Sequence, residues 1–439
     1  MSLSQVGVAA DNHNTGEPSA KPSDWAPVAA LILIAFGFRV VLGYFFTYYG
    51  GDAPGYTRIA ENLASGHGYS LAHHAPYVST DVRLPGYPAL LALSFLIRDS
   101  HWSAILLSAL LGAASTLLVW LIARGLNLNR ALALWTTAIA ALFFCTASFA
   151  GVAQSENLSV PAVLAFVYVV LIRPPKSQAS LFVSGSLLAW LVALTRDELV
   201  IFVALVAIVA ARRAGLKVLG CVALLVCFLL GSGAWFLRND VQVHRMEYVD
   251  SLMTDSVVVA TLNGQNFDAP LYSNALALAY SPGTSNAQRS QMQHEVSVYA
   301  KKVLAHHFPT FARTQVKYYL ESFFPVPIYG LTYTSSLLFL ERLVWSVFLL
   351  AEYALALMTA VRWWKKGRRR DVVSIGLFPA FMAVFLIFLD PQPRFWLPAV
   401  LLLLPLAVTS VAGLTIVPPP RKANASATGG ALPPVPSDR

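Results

Sequence analysis

The chain has 439 residues, of which 56% are hydrophobic and only 12% charged, with a mean hydropathy of +0.60. Soluble domains carry about 25% charged residues, so this chain lacks the polar surface that water demands and reads as an all-α polytopic membrane protein. The net charge of +9 does not point to nucleic acid as a partner, because the basic residues fill short gaps between apolar runs, as in "RWWKKGRRRD" at 362–371; that placement marks cytoplasmic loops beside membrane lipids.

Residues 1–24 are polar and are expected to form a disordered cytoplasmic tail. The first apolar run follows at 25–48. It is too long for the apolar region of a cleavable signal and reads as a retained signal anchor. Arg39 lies inside it, where a charge demands a partner; a structural ion pair is the expectation. The run ends in "YYGGDAPGYTRIAENLASGHGYS" (48–70), in which two glycines precede one acid, Asp52. "TRIAENLASGHGYS" reads as a short helix ended by Gly66.

Further runs appear near 102–123, 131–150, 157–172, 180–195, 198–211, 217–237, 336–361, 372–389 and 395–414. A bilayer-crossing helix needs about 20 residues, so the fourth to sixth runs are short, and distortion or re-entry is expected there. The count gives about ten transmembrane helices. Cys145, Cys221 and Cys227 all lie within apolar runs, and Cys221 and Cys227 fall on different faces of one helix. Neither a disulfide nor a cysteine metal site is expected. Two large segments remain, 49–101 and 238–335. In the second, Met292, Val296, Tyr299 and Val303 recur at helical spacing before Pro309, which is expected to interrupt the helix. Its apolar face fits the membrane surface or the rest of the domain equally well. The Pro-, Ala-, Gly- and Ser-rich stretch at 415–439 is expected to be a second disordered cytoplasmic tail.

Loop charge sets the orientation. With the N-terminus in the cytoplasm, the inward short loops hold Arg124, Arg130, Arg173, Lys176, Arg212, Arg213, Lys217 and the 362–371 cluster. The outward short loops, 151–156 and 195–197, hold only Arg196. Both termini are therefore expected in the cytoplasm, with 49–101 and 238–335 as large extracytoplasmic loops.

Polar groups then gather at the outer ends of the spans: Asp52; Gln154, Ser155 and Glu156; Arg196, Asp197 and Glu198; Arg238 and Asn239; Asp390, Gln392 and Arg394. Ionisable groups near membrane depth usually face a cavity and mark function. An acid can serve as general base toward a hydroxyl or amine, and arginines bind phosphate in a fork and stabilise its charge as it leaves. A lipid-linked phosphate explains a site at the bilayer edge, since its tail stays in lipid. Sugar transfer from a polyprenyl-phosphate donor fits these parts. There is no P-loop and no GxGxxG following a strand, which argues against an ATP-driven transporter subunit.

"GGDAPGYTRIAENLASGHGYS" followed by "DVRLPGYPALLAL" resembles the first extracytoplasmic loop of the GT-C fold membrane glycosyltransferases. The bacterial branch related to aminoarabinose transferase, protein O-mannosyltransferases and rhizobial lipopolysaccharide glycosyltransferases is the nearest in pattern. "SEN", "LTRDE", "LRND" and "PRFWLP" fall in the order that family has them. The resemblance covers most of 25–414: a catalytic module at 25–237, a periplasmic loop region at 238–335 and C-terminal helices at 336–414. It implies an inverting transferase of the bacterial inner membrane acting in lipopolysaccharide or other cell-envelope glycan synthesis, with a glycan, lipid or protein acceptor.

The resemblance implies Asp52 as catalytic base and Glu156 as second acid. It implies Arg83 and Arg394 as contacts to the donor phosphate, with Tyr56 as the first-loop aromatic and Tyr87 beside it in "LPGYP". Where some relatives carry a basic residue between acid and tyrosine, this chain has Ala53, Pro54 and Gly55. Phosphate recognition is then shared by Arg58, Arg83, Arg196 and Arg238, with Asn239 next to the last. Some relatives bind a divalent metal through an acid beside that loop's basic residue; here Val82 stands there, and Asp81, His73 and His74 are the substitutes within reach. Two rivals remain: a transporter or flippase of lipid-linked or anionic solutes, and an O-antigen ligase or polymerase. A transporter places its polar groups near the bilayer midplane on paired half-helices, whereas here they sit at one end.

Overall fold

A computed structural model describes residues 22–48, 51–98, 101–249, 286–323, 335–386 and 393–412, with scattered positions between 271 and 281. Nearly all of both tails, much of the 238–335 loop, and Asp390 and Gln392 lie outside the described residues. Among those described, the regular elements are helices, apart from one antiparallel bridge between Ser70 and Ser79.

The chain leaves α1 (Pro22–Phe45) through Gly51, whose φ of +62° suits glycine, and enters α2 (Ala53–Ala64) directly after Asp52. Pro54 in its first turn needs no N–H partner there, which favours a helix start at that point. Gly66, at φ +76°, stands just beyond its end. Next come α3 (Gly86–Ile97), α4 (His101–Gly125) and α5 (Arg130–Ala141). The side chain of Asn129 caps α5 by accepting from Leu132 N–H at 2.9 Å. The next helices are α6 (Phe144–Ala147) with a 3-10 turn (Ser148–Gly151), then α7 (Glu156–Phe166), which widens to a π-helical turn at Val167–Ile172. The remaining elements are α8 (Gln178–Ala193), α9 (Leu199–Arg213), α10 (Val218–Val243), α11 (Asn286–Ser322), α12 (Ser335–Lys365), α13 (Arg369–Phe385) and α14 (Leu397–Val411).

Among the described residues, five helices are long and apolar enough to cross a bilayer: Trp25–Phe45, His101–Gly125, Val218–Val243, Leu343–Lys365 and Arg394–Val411. The pair Arg130–Ala141 and Phe144–Gly151, bent by 46°, gives a sixth when taken as one span. Gly86–Ile97, Glu156–Ile172 and Gln178–Ala193 are apolar but shorter. Five or six candidate spans thus meet the length and composition test among the described residues, against the ten apolar runs read from sequence. The runs at 157–172 and 180–195 form helices over Glu156–Ile172 and Gln178–Ala193, bounded at one end by the polar residues at 154–156 and 195–198.

Two boundaries differ from the sequence reading. Helix α10 continues through Arg238 and Asn239 to Val243, so both belong to its last turns and not to a loop. Helix α11 runs through Pro309 without a break. Losing one backbone bond at a proline costs about 3 kcal/mol, and packing on either side offsets it. Val296 is buried with Met292 and Tyr299 against Ala275, Leu271 and Leu278, while the Tyr319 hydroxyl donates to the Ala383 carbonyl at 2.7 Å. The part of the α11 face formed by Met292, Val296 and Tyr299 thus packs on the protein, while Phe308, Val316 and Leu320 are exposed.

Helices in lipid gain little from hiding apolar surface and associate mainly by close packing. The core accordingly interlocks aromatics: Phe202 meets Phe378 edge-on at 4.9 Å, and Phe166 meets Phe228 at 5.6 Å. Truncating a fully buried ring such as Phe228 to alanine costs about 3–5 kcal/mol by cavity formation. At one end of the bundle, basic side chains tie the loops together. Arg213 donates to Leu171 and Arg370 carbonyls, and Arg368 to the Leu126 carbonyl. The segments holding Asp52, Arg83, Glu156, Arg196 and Arg394 lie at the other ends of these helices.

Candidate active site

Four short breaks between helices, and the stretch before α3, each deliver one or two charged side chains to a common point. Asp52 comes from the step between α1 and α2. Its Oδ1 accepts from Arg83 Nη2 at 2.6 Å, and its Oδ2 from Arg394 Nη2 at 2.9 Å. Arg394, ahead of α14, also places Nε 3.1 Å from Glu156 Oε1. Glu156 opens α7, and the same oxygen accepts from Arg196 Nη1 at 2.8 Å. Arg196, between α8 and α9, closes the chain on Glu198. Three guanidinium groups thus interleave with three carboxylates, giving a formally neutral row (+3 − 3 = 0).

Packing aims these groups. Gly86 sits against α8, its N–H donating to the Leu194 carbonyl at 2.8 Å; a Cβ there would lie 2.7 Å from that oxygen. This contact brings the Arg83 segment beside the Arg196 segment. The Tyr69 hydroxyl donates to the Arg83 carbonyl at 2.8 Å, and the Arg83 guanidinium stands 5.2 Å over the Tyr56 ring. Tyr56 in turn meets buried Tyr87 edge-on at 5.4 Å. Arg196 lies 3.8 Å over the ring of Phe395, the neighbour of Arg394.

Electrostatics separate the members of the row. Burial alone pushes the Asp52 carboxyl up, but Arg83 and Arg394 together outweigh it and hold the group down at about 2. Its side chain is 23% exposed, against 3% for Glu156. The Tyr56 hydroxyl is pushed up to about 12, chiefly by burial, so it stays neutral and able to donate.

Of the residues singled out from sequence, Asp52, Glu156, Arg83, Arg196 and Arg394 come together, with Tyr56 and Tyr87 behind them. Others do not. Arg58 pairs with Glu61 one turn along α2, at 2.7 Å, because i,i+3 neighbours share a helix face. Arg238 donates to the Thr80 carbonyl at 2.7 Å and to Asn239 Oδ1 at 2.9 Å, lying over Tyr69 and Trp235. The Asn239 amide donates to the Glu247 and Tyr248 carbonyls, so it anchors the chain where it leaves α10. Arg39 makes no ion pair among the described residues; its partners are backbone carbonyls and Thr146.

The metal candidates do not fit a ligand set either. Asp81 is fully buried against Arg245 at 2.7 Å, while the exposed rings of His73 and His74 stand 6.5 Å apart. Among the described residues no three His, Cys, Asp or Glu side chains converge. Sequence reasoning gave no role to Glu198, Tyr69 or Arg245. For Glu198 the signal was present in "TRDE"; for the other two nothing distinguishes them from ordinary loop residues.

No family model matches this chain, and no curated protein matches it. Among solved structures, it is similar to ArnT from Cupriavidus metallidurans bound to undecaprenyl phosphate, at 13% identity and a TM-score of 0.39 over 90% of this chain and 79% of that one. It is also similar to the apo oligosaccharyltransferase of Archaeoglobus fulgidus, at 12% identity and a TM-score of 0.45 over 88% of this chain and 50% of that one.

Proposed function

We propose that the protein is an inverting membrane glycosyltransferase that moves a sugar from a polyprenyl-phosphate donor to an acceptor hydroxyl or amine on the extracytoplasmic face. The observation that carries this reading is Asp52, whose two oxygens rest on two arginines drawn from opposite ends of the chain, at the ends of apolar helices. An anion that displaces the carboxylate gains two guanidinium forks at once, and a phosphodiester at the bilayer edge is such an anion.

In the reaction, the acceptor oxygen or nitrogen attacks the anomeric carbon from the face opposite the phosphate. The bond from that carbon to the phosphate oxygen breaks, and its electron pair leaves with the polyprenyl phosphate. The acceptor proton passes to Asp52. Arg83 and Arg394 stabilise the negative charge that grows on the leaving group, an interaction stronger in the transition state than before it. A carboxyl held at about 2 is a poor base. Drawing the arginines onto phosphate relieves that depression, so donor binding prepares the base. Glu156 and Glu198 hold Arg196 and Arg394 in register. Among the described residues Asp81, His73 and His74 do not converge on one point.

The cytoplasmic placement of both termini rests on the loop charges, Arg213 and Arg368 among them. The reading places the site on the periplasmic side of a bacterial inner membrane. Purified protein in lipid, given a labelled polyprenyl-phosphate sugar and membrane glycolipid acceptors, is expected to release polyprenyl phosphate and label the acceptor. Movement of intact solute across a vesicle, with no bond broken, would instead identify a transporter.

A further inference from the structure

Arg39 is a fully buried charged side chain to which the proposed reaction gives no role. It lies in α1 about 9 Å, at 1.5 Å per residue, from the helix end and is 1% exposed. Its Nη1 donates to the Ala141 carbonyl at 3.0 Å and the Ala35 carbonyl at 3.2 Å. Its Nη2 donates to Thr146 Oγ1 at 3.3 Å and reaches the Ala140 carbonyl at 3.5 Å. Ala140 and Ala141 are the last residues of α5, at the break where the span bends by 46°. Helix-end carbonyls have no intrahelical donor, and lipid supplies none. Arg39 supplies it to Ala141 and adds to the Phe143 N–H that reaches the Ala140 carbonyl at 3.4 Å, and its charge suits the negative end of the helix.

The bend it holds leads straight to the site. Past the break, the Tyr48 N–H donates to the Gly151 carbonyl at 3.1 Å, docking the turn on the end of α1. The Asn157 amide then donates to the Val152 carbonyl at 2.8 Å, leaving Glu156 between the two anchors. Arg39 also lines a small chamber of about 20 Å³ together with Ser108, Ser115, Thr146, Asn157 and Glu156. A water needs about 10–15 Å³ and several polar partners, and Arg39 Nε has no hydrogen-bond partner among the described residues. Helix α4 makes way for the guanidinium at Gly112, where a Cβ would lie 2.1 Å from Arg39 Nε.

We infer that Arg39 is a positioning residue for Glu156, acting through the α5 break and through one ordered water in the chamber that links its Nε to the carboxylate. This rests on the transferase reading. Arg39 touches no reacting atom. It keeps Glu156 where that carboxylate can hold Arg196 and Arg394, and a displacement of about 1 Å in such a constellation costs up to about 100-fold in rate.

A double-mutant cycle tests the inference. Arg39→Lys is expected to lower kcat about tenfold while leaving KM for donor within about twofold, since positioning and not binding is lost. In the Glu156→Gln background the same change is expected to have no further effect, because its target is gone. Equal losses in both backgrounds would overturn the inference, as a merely structural role predicts additivity. Should Arg39→Lys fail to insert, Ser108→Val fills the chamber and leaves the α5 carbonyls bound. Its loss of kcat must likewise vanish with Glu156→Gln, or the inference falls. An unmodified protein that transfers no sugar would refute the transferase reading instead. In that event an experimental density map decides: a water bridging Arg39 and Glu156 supports the positioning link, and a dry chamber overturns it.

Discussion

Glu156 and Glu352 are buried almost equally, at 2% and 3% exposed, yet their neighbourhoods have nothing in common. Glu156 receives Arg196 and Arg394 from two distant segments. Glu352, midway along α12, has no hydrogen bond to either oxygen among the described residues and lies on the wall of an apolar cavity of about 410 Å³. Burial of an acid is therefore not what marks the candidate site. What marks it is convergence, at one end of the helices, of opposite charges that the chain brings from far apart. A row of this kind holds together at membrane depth only because every member has a partner.

The largest effect should come from removing the arginine that bridges both acids. Arg394→Ala is expected to lower kcat/KM at least about 100-fold, as loss of one preorganised donor does. Activity within severalfold of the unmodified protein would break the comparison by showing the row to be a structural ion-pair network. Arg196→Lys keeps the charge but loses the planar fork between Glu156 and Glu198, and a drop of about tenfold is expected. A smaller effect concerns stability. The folded Asp52 carboxyl, at about 2, lies below its unfolded value of about 3.9. Its contribution is therefore present above about pH 4 and lost as pH falls toward 2. The gap in melting temperature between the unmodified protein and Asp52→Asn should close over that window; a gap independent of pH would contradict the arginine pairing. Least of all should Glu352→Leu matter for transfer, which is expected to stay within about twofold. The melting temperature should hold or rise, because an unpartnered buried carboxyl is a liability to the fold.

Composition and loop charge carry the membrane architecture, and the place of Asp52 after a glycine exit carries the centre of the site. Both signals are local. Five residues named from sequence, Asp52, Arg83, Glu156, Arg196 and Arg394, meet because spans that alternate in direction return them to one end, a consequence of topology readable from apolar runs. The failures are equally physical. Arg58 faces Glu61 by helix geometry, and Arg238 and Asn239 fall inside α10 because that helix outlasts its apolar run, which ends at 237, and continues to Val243. Pro309 gave the wrong expectation for α11, where packing on both sides overrides one missing hydrogen bond. Arg39 was expected in an ion pair; its actual partners are carbonyls at a helix break, which no residue pattern announces.

The most direct test sets donor binding and sugar transfer side by side for the unmodified protein and Asp52→Asn. If Asp52 is the base and also the group that the donor phosphate displaces from Arg83 and Arg394, the variant should bind the polyprenyl-phosphate sugar at least as tightly. It should transfer the sugar at least about 100-fold more slowly, the usual scale for a lost general base. Transfer at an undiminished rate, or donor binding lost together with transfer, would contradict the account.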